Sequence, residues 1–487
     1  MNQSIRNAWI ATVALFALLF GAISYIQVIG AQDLSTNALN DRALQRNLCS
    51  DRGTILAGGQ PIAESVPGNE DCKSKRSYPG GALYAGITGY FSTNGSAGST
   101  GLERELNGAL TGDSDQQFLE RVRQLFLGKQ PQGANVETTI DPKIQKLAYD
   151  LIPDDIEGYA VVQNPKTGAI LAMVSKPSYD PNTVASLDGD AARAAKAKLD
   201  DTKGINLYQN VSGPTGALMA PGSVFKLIDT AAALESGKYN KDSVLPNPAE
   251  LTFPGLQYTL PNYRGGQCYA RDKSGFDFAL ANSCNTPFAS IALDLGEKKI
   301  AETAKNFGIG QDLGDRLDLQ YAQSRFPTDL DKPQLAQSAI GQYNVQVTPL
   351  QISMLTSAIA NGGVQMKPQL VKALRAPDLR VLAEYKPEPL RTATSPEVAR
   401  QITEWMVGVV DNGLAAPAAI PGVKVAAKTG TAELTADDYN NSWFTGFAPA
   451  DNPQVVVTLA FHGVNSATGA QLTSPNAKKL FEAVLNK

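Results

Sequence analysis

The chain has 487 residues, 43% hydrophobic and 18% charged, with a net charge of −4. That length and balance suit two or three globular domains and exclude a disordered chain, and the charge gives no reason to expect nucleic acid as a partner. The single histidine, His462, excludes His-rich metal sites and leaves a Ser-His-Asp triad one candidate base. Acyl-transfer or hydrolytic chemistry is therefore expected to draw its base from a lysine.

Arg6 is the only charge before Asp33, and the apolar run between them, AWIATVALFALLFGAISYIQVIGAQ, reaches the ~20 residues that cross a bilayer as a helix. A cleaved signal peptide competes, but its apolar core is usually about 7–15 residues long, and VIGAQ is an indifferent cleavage site. We expect a cytoplasmic tail over 1–7, a single membrane span over 8–30, and an extracytoplasmic remainder. LSTNALNDRALQRN reads as helix-prone. CSDRGTILAGGQPIAES alternates enough for short strands. SYPGGALYAGITGYFSTNGSAGSTGLERELNG, dense in Gly, Ser and Tyr, reads as short strands and loops. Cys49, Cys72, Cys268 and Cys284 have no Cys-x-x-Cys spacing. Outside the cytoplasm they permit disulfides; sequence-local pairing is one of three connectivities, and four buried thiols are the alternative.

The character changes at 132–136, dividing a module over 31–135 from a domain over 136–487. VETTIDPKIQKLAYDLI predicts a strand and then a helix capped by Asp141 with Pro142 at its first position. AVVQNPKTGAILAMV predicts a hairpin. A helix-rich middle follows, then the strands VKVAAKTGTAE, WFTGFAP and QVVVTLAFHG and a last helix, NAKKLFEAVLNK. Strands at both ends of a helical middle fit an α+β domain whose antiparallel sheet assembles from distant parts.

In APGSVFKLIDTAAAL, Ser223 and Lys226 fall one turn apart at a helix start, where the macrodipole favours developing negative charge. A serine hydroxyl needs an adjacent base, and a partly buried lysine can serve. An ordinary amphipathic helix is the plainer reading, but Ser-x-x-Lys occurs only here. Ser-x-Asn is far weaker, occurring at Ser35, Ser92, Ser283 and Ser474. Ser283-Cys284-Asn285 stands out because it lies on a connection between two helical patterns. Its hydroxyl could relay a proton to Lys226, and its amide could hold a carbonyl. Lys-Thr-Gly occurs twice. In NPKTGAI, Asn164, Pro165 and Gly168 are turn chemistry, so Lys166-Thr167-Gly168 is expected at a hairpin tip. In VKVAAKTGTAE the glycine has no turn to make. Lys428-Thr429-Gly430 is expected within a strand approached closely by another backbone or a ligand, where Thr429 and Thr431 suit a carboxylate and a peptide along the strand edge.

The ordered set Ser223-x-x-Lys226, Ser283-x-Asn285, Lys428-Thr429-Gly430 resembles the penicillin-binding proteins and serine β-lactamases. DRGTILAGGQPIAES, YPGGALYAGITGY and GSTGLERELNG resemble the N-terminal module of the class B penicillin-binding proteins. TIDPKIQKLA, PGSVFKL, SCNTPF, IGQYNVQVTPLQ, AAKTGTAE and WFTGFAP resemble landmarks of their transpeptidase domain, in order. The likeness covers about 30–485 and is strongest to the short actinobacterial type, with which Cys268 and Cys284 are associated. It implies an α+β penicillin-binding/β-lactamase-like fold, an antiparallel sheet flanked by helices, behind a small, mainly β pedestal or dimerisation-like module.

The implied activity is a cofactor-free, metal-free D,D-transpeptidase. Ser223 would attack the penultimate D-Ala of a D-Ala-D-Ala stem peptide, and a neighbouring amine would take the acyl group. Lys226 would be the base. Ser283 and Lys428 would pass a proton to the leaving amine. Asn285 would bind the substrate amide, and Thr429, Gly430 and Thr431 the rest of the donor. The backbone N–H groups of Ser223 and Thr431 would form the oxyanion hole. β-Lactams would acylate Ser223, and a Cys268–Cys284 bridge would stiffen the Ser283 loop. A bifunctional enzyme would need a glycosyltransferase domain, whose EDxxFxxHxG motif is absent, so polymerisation is expected from a multi-pass membrane partner. The Glu-x-x-Leu-Asn pattern of one β-lactamase class occurs at Glu103–Asn107, but before the nucleophile, in the wrong order. A D,D-carboxypeptidase is the second choice; a β-lactam sensor would need a cytoplasmic signalling segment. Trp443 is expected as sheet core and His462 as structural.

Overall fold

The structure, a computed structural model, describes residues 3–30, 49–93, 98–118, 121–123, 132–205, 215–313, 318–434 and 439–486. The helix-prone LSTNALNDRALQRN lies outside them. Helix α1 (Gln3–Ser24) continues as a wider turn, Tyr25–Ile29. Among the described residues, Gln3–Gln27 is the one helix long and apolar enough to cross a membrane. It leaves Trp9, Leu18 and Phe20 exposed, as a lipid-facing surface requires.

Cys49 is disulfide-bonded to Cys72 at the start of the N-terminal module. There β1 (Ile55–Ala57) turns into β2 (Gln60–Pro67), which pairs with β3 (Ser74–Ser77). The next stretch differs from the expected strands. It holds short helical segments, Ala85–Thr88, Gly101–Glu105 and Asn107–Thr111. Gly89 and Gly112 end two of them at positive φ, so glycines that read as strand punctuation act as helix stops. Strand β4 (Asn135–Thr138) lies parallel to β1, and Asp141 caps α2 (Pro142–Asp150) by accepting from the Lys143 and Ile144 amides at 2.9 and 3.1 Å.

Strands β5 (Gly158–Gln163) and β6 (Ile170–Lys176) form the expected hairpin. The helical middle contains α3 (Lys226–Glu235), α4 (Phe276–Ala281), α5 (Thr286–Leu295), α6 (Lys332–Ala339) and α7 (Pro349–Ala360). Then come β7 (Val371–Arg375), β8 (Val381–Glu384) and α8 (Pro396–Asp411). The chain closes on β9 (Ala426–Glu433), β10 (Asn440–Ala448), β11 (Val455–Val464) and α9 (Ser474–Leu485).

Two sheets organise these parts. One is antiparallel, in the order β9-β10-β11-β5-β6; the other runs β8-β7-β4-β1-β2-β3. In the second, Val136 of β4 stands opposite both Ile55 of β1 and Leu374 of β7. The first sheet is sandwiched between helices. Adjacent residues of β10 point to opposite faces. Phe444 packs edge-on against Phe481 of α9, while Thr445 shares a 2.7 Å hydrogen bond with Thr356 of α7. Lys428 pairs with Thr445 and so faces the α7 layer. Val161, Ile170 and Met173 share a second core with Ile55, Tyr78, Ile87 and Leu102 of the N-terminal module.

Candidate active site

Ser223 lies in a 3₁₀ turn, Gly222–Phe225, that runs into α3. A 3₁₀ turn brings residues three apart into line, so Ser223 sits over Lys226 more directly than on an α-helix. Three glycines let three backbones converge there. A Cβ on Gly222 would come within 2.4 Å of the Thr431 carbonyl oxygen; one on Gly341, within 2.0 Å of the Gly222 oxygen; one on Gly430, within 2.6 Å of the Pro221 oxygen. The Gly222 amide donates to the Gly341 carbonyl at 2.9 Å. Trp443 is buried sheet core as expected, and its indole N–H also donates to the Ala220 carbonyl at 2.9 Å, pinning the segment that leads to Ser223.

Ser283 and Asn285 lie on the α4–α5 connection, with Ser283 in the left-handed region at φ 57°. Lys226 Nζ donates to the Ser283 carbonyl at 2.6 Å and to Asn285 Oδ1 at 2.8 Å, and lies 3.5 Å from Ser283 Oγ. Lys428 Nζ donates to Ser283 Oγ and to the Thr429 carbonyl, both at 2.9 Å. Two buried lysines thus grip one loop from opposite sides, one from the nucleophile helix and one from the sheet. Burial pushes the Lys226 ammonium well below the ordinary lysine range, and the neighbouring Lys428 adds to the shift. Burial brings Lys428 down to about 7. Among the described residues, Ser223 Oγ makes no hydrogen bond, so its side chain is free to receive an incoming group.

Among the described residues, strand β9 is an edge of its sheet, paired only with β10, and Thr429 and Thr431 are half-buried on it. An extended peptide can add to such an edge. The other Lys-Thr-Gly is a turn. Asn164 Oδ1 accepts from the Lys166 and Thr167 amides at 2.9 and 3.2 Å, and Gly168 has φ 78°.

Some supporting residues carry no sequence signal. Asn262 Oδ1 accepts the Asn285 amide at 2.8 Å, and its side-chain amide donates to Asn247 Oδ1 at 2.7 Å. Asn247 in turn donates to the Cys268 carbonyl at 2.7 Å. Cys268 and Cys284 form the expected disulfide, closing this frame around Ser283. Asp229, one turn beyond Lys226, is buried with both carboxylate oxygens unpartnered among the described residues, and burial raises its pKa well above the usual range, favouring the neutral acid. Glu103, from the misplaced Glu-x-x-Leu-Asn pattern, is a buried strut between Arg52 at 2.9 Å and Arg76 at 2.5 Å. His462 Nδ1 shares a 2.7 Å hydrogen bond with Asn441 Oδ1.

The penicillin binding protein transpeptidase domain family matches residues 158–485. The chain belongs to this family. The penicillin binding protein A dimerisation domain matches residues 52–136. Peptidoglycan D,D-transpeptidase PbpA of Mycolicibacterium smegmatis is 37% identical over the full length of both chains. The protein of that name from Mycobacterium tuberculosis is 36% identical over 100% of this chain and 99% of its own. Among solved structures, the imipenem acyl-enzyme of M. tuberculosis penicillin-binding protein A matches with a TM-score of 0.82 and 35% identity, over 91% of this chain and 100% of that one. The ceftriaxone acyl-enzyme of the same protein matches with a TM-score of 0.80.

Proposed function

We propose that this family member is a membrane-anchored peptidoglycan D,D-transpeptidase that works through an acyl-enzyme on Ser223. The observation that carries the reading is the pair of buried lysines sharing Ser283 beside the Ser223 turn and the free edge of β9. A free-base amine has two N–H donors and one lone pair. Lys226 gives its donors to the Ser283 carbonyl and Asn285 Oδ1, which leaves the lone pair for the Ser223 hydroxyl. Its burial favours that form. Ser223 Oγ attacks the penultimate D-Ala carbonyl, and its proton passes to Lys226. The tetrahedral oxyanion lies between the Ser223 and Thr431 amides, donors fixed in place before the charge develops. Ser283 hands a proton to the departing D-Ala nitrogen and takes in its place the one on Lys226, 3.5 Å away, while Lys428 polarises its hydroxyl. Asn285 binds the donor amide, and Thr429, Gly430 and Thr431 receive its carboxyl end. An amine of a second stem peptide then takes the acyl group. β-Lactams enter the same path and stop at the acyl-enzyme.

The apolar N-terminal helix, long enough to cross a bilayer, supports a membrane anchor. The charge at Arg6 favours a cytoplasmic N-terminus with the catalytic part outside. Glycan polymerisation falls to a multi-pass glycosyltransferase partner, and the disulfides suit an oxidising compartment. The division at residue 135/136 that separates module from catalytic domain falls within β4.

Fluorescent-penicillin labelling of the wild type and Ser223→Ala tests the nucleophile. Covalent label that persists on the alanine variant overturns the assignment. Paired stem peptides, scored for cross-linked dimer against hydrolysed product, separate the transpeptidase from a D,D-carboxypeptidase.

A further inference from the structure

We infer that Tyr343 is a specificity-determining residue of this cleft, an aromatic contact for the stem peptide of the acyl donor; the inference rests on the transpeptidase reading above. The segment 341–347 is stitched at both ends to the chain that delivers Ser223. At one end the Gly222 amide donates to the Gly341 carbonyl at 2.9 Å. At the other, Met219 and Val347 exchange hydrogen bonds at 3.0 and 2.9 Å. The residues between form a turn closed by the Val345 amide on the Gln342 carbonyl at 3.3 Å, with Tyr343 at its second position.

Tyr343 has φ 55°. Turns with positive φ at the second position are dominated by Gly, Asn and Asp, and a bulky side chain there is an outlier. Gly341 and Val345 are buried, but Tyr343 is 41% exposed and its phenol has no hydrogen-bond partner among the described residues. Strain with exposure does not by itself mark a site: Leu379 combines φ 68° with an exposed side chain at the β7–β8 turn. Tyr343 differs because its turn is fastened to the nucleophile segment. Strained residues that the surrounding structure over-determines cluster at ligand contacts. The other non-glycine residue at positive φ beside Ser223 is Ser283, already part of the site.

A phenol presented there offers a flat apolar face to the side chains and amide planes of a peptide, and one hydroxyl to a peptide carbonyl. A penicillin reaches Ser223 without carrying a full stem. The contact is therefore read as a difference between two ligands on one enzyme.

The test uses the full-length enzyme in detergent, with a stem pentapeptide ending in D-Ala-D-Ala protecting Ser223 against fluorescent penicillin. Tyr343→Gly removes the ring and relieves the φ strain, so its melting temperature should equal or exceed that of the wild type. The pentapeptide concentration needed for protection should rise about tenfold more than penicillin acylation slows. Tyr343→Phe should lie between, separating ring from hydroxyl. Equal protection of wild type and Tyr343→Gly overturns the inference, as does a loss of penicillin acylation that matches the loss of protection. Absence of protection in the wild type counts against the D-Ala-D-Ala donor reading itself, and so against both.

Discussion

Lys166-Thr167-Gly168 and Lys428-Thr429-Gly430 spell the same tripeptide in one five-stranded sheet, the first in the turn entering edge strand β6 and the second inside β9, the opposite edge. The first lysine is exposed and reaches Asn452 Oδ1 at 2.5 Å; the second is buried against Ser283. Both positions demand glycine, for different reasons. Gly168 needs its positive φ, and a Cβ there would also meet the Lys367 carbonyl oxygen at 2.0 Å. Gly430 sits in ordinary strand backbone but lets the Pro221 carbonyl approach. A tripeptide thus acquires chemistry from what lies across from it. The turn faces another loop; the strand faces the nucleophile.

The largest expected effect is on Lys428→Ala, which should slow penicillin acylation by about 10²–10⁴, the range of a general acid–base group. A comparable loss in Lys166→Ala would break the contrast. Next come the glycines. Gly430→Ala should displace the Pro221 segment and slow acylation at least about tenfold. Gly168→Ala should cost about 1–3 kcal/mol of stability in thermal melts while the folded fraction still acylates normally. An acylation defect at Gly168 would mean that the turn communicates with the cleft.

The pH dependence sharpens the contrast. Lys226 must be a free base and Lys428 an ammonium, so acylation should fall on the acid side with Lys226 and on the alkaline side through about pH 7 with Lys428. The Lys428 charge that serves catalysis opposes folding. A lysine whose folded pKa is lowered destabilises the fold below its unfolded pKa, near 10.4, and the loss is complete below about 7. Lys428→Met should therefore raise stability at pH 6 by about 1–4 kcal/mol, with the gain shrinking towards pH 10. A melt series from pH 6 to 10 checks the sign. The smallest effect is expected from Lys166→Ala, which removes one exposed contact and should stay within about 0.5 kcal/mol.

Local chemistry was legible in the sequence. The Asp141 cap, the Asn164 turn, the closing strands and the spacing of Ser223 and Lys226 depend on neighbours a few residues away, and the structure places them as expected. The misread stretch after Ser77 fails because glycine ends helical turns as readily as it joins strands. What could not be read is long-range. The convergence of Gly222, Gly341 and Gly430 joins residues over a hundred positions apart. The Asn247–Asn262–Asn285 frame uses amides that no spacing rule distinguishes from surface asparagines. Asp229 carries no signal in the sequence; only its burial, which raises its pKa, sets it apart one turn beyond the base. Tyr343 is an ordinary tyrosine until its φ is known.

The sheet that carries β4 has a consequence for protein engineering. Residues 52–136 are not an exchangeable cassette, because β4 is zipped on one side to β1 and on the other to β7, some 230 residues downstream. A chimera that imported this stretch from a relative would set foreign Asn135 and Val136 equivalents against native Arg375 and Leu374, and its junction would fall in mid-strand beside Glu137, whose ion pairs to Lys372 and Arg375 measure 2.6 and 2.9 Å. A graft that carried 371–384 along with 52–138 would keep that seam intact.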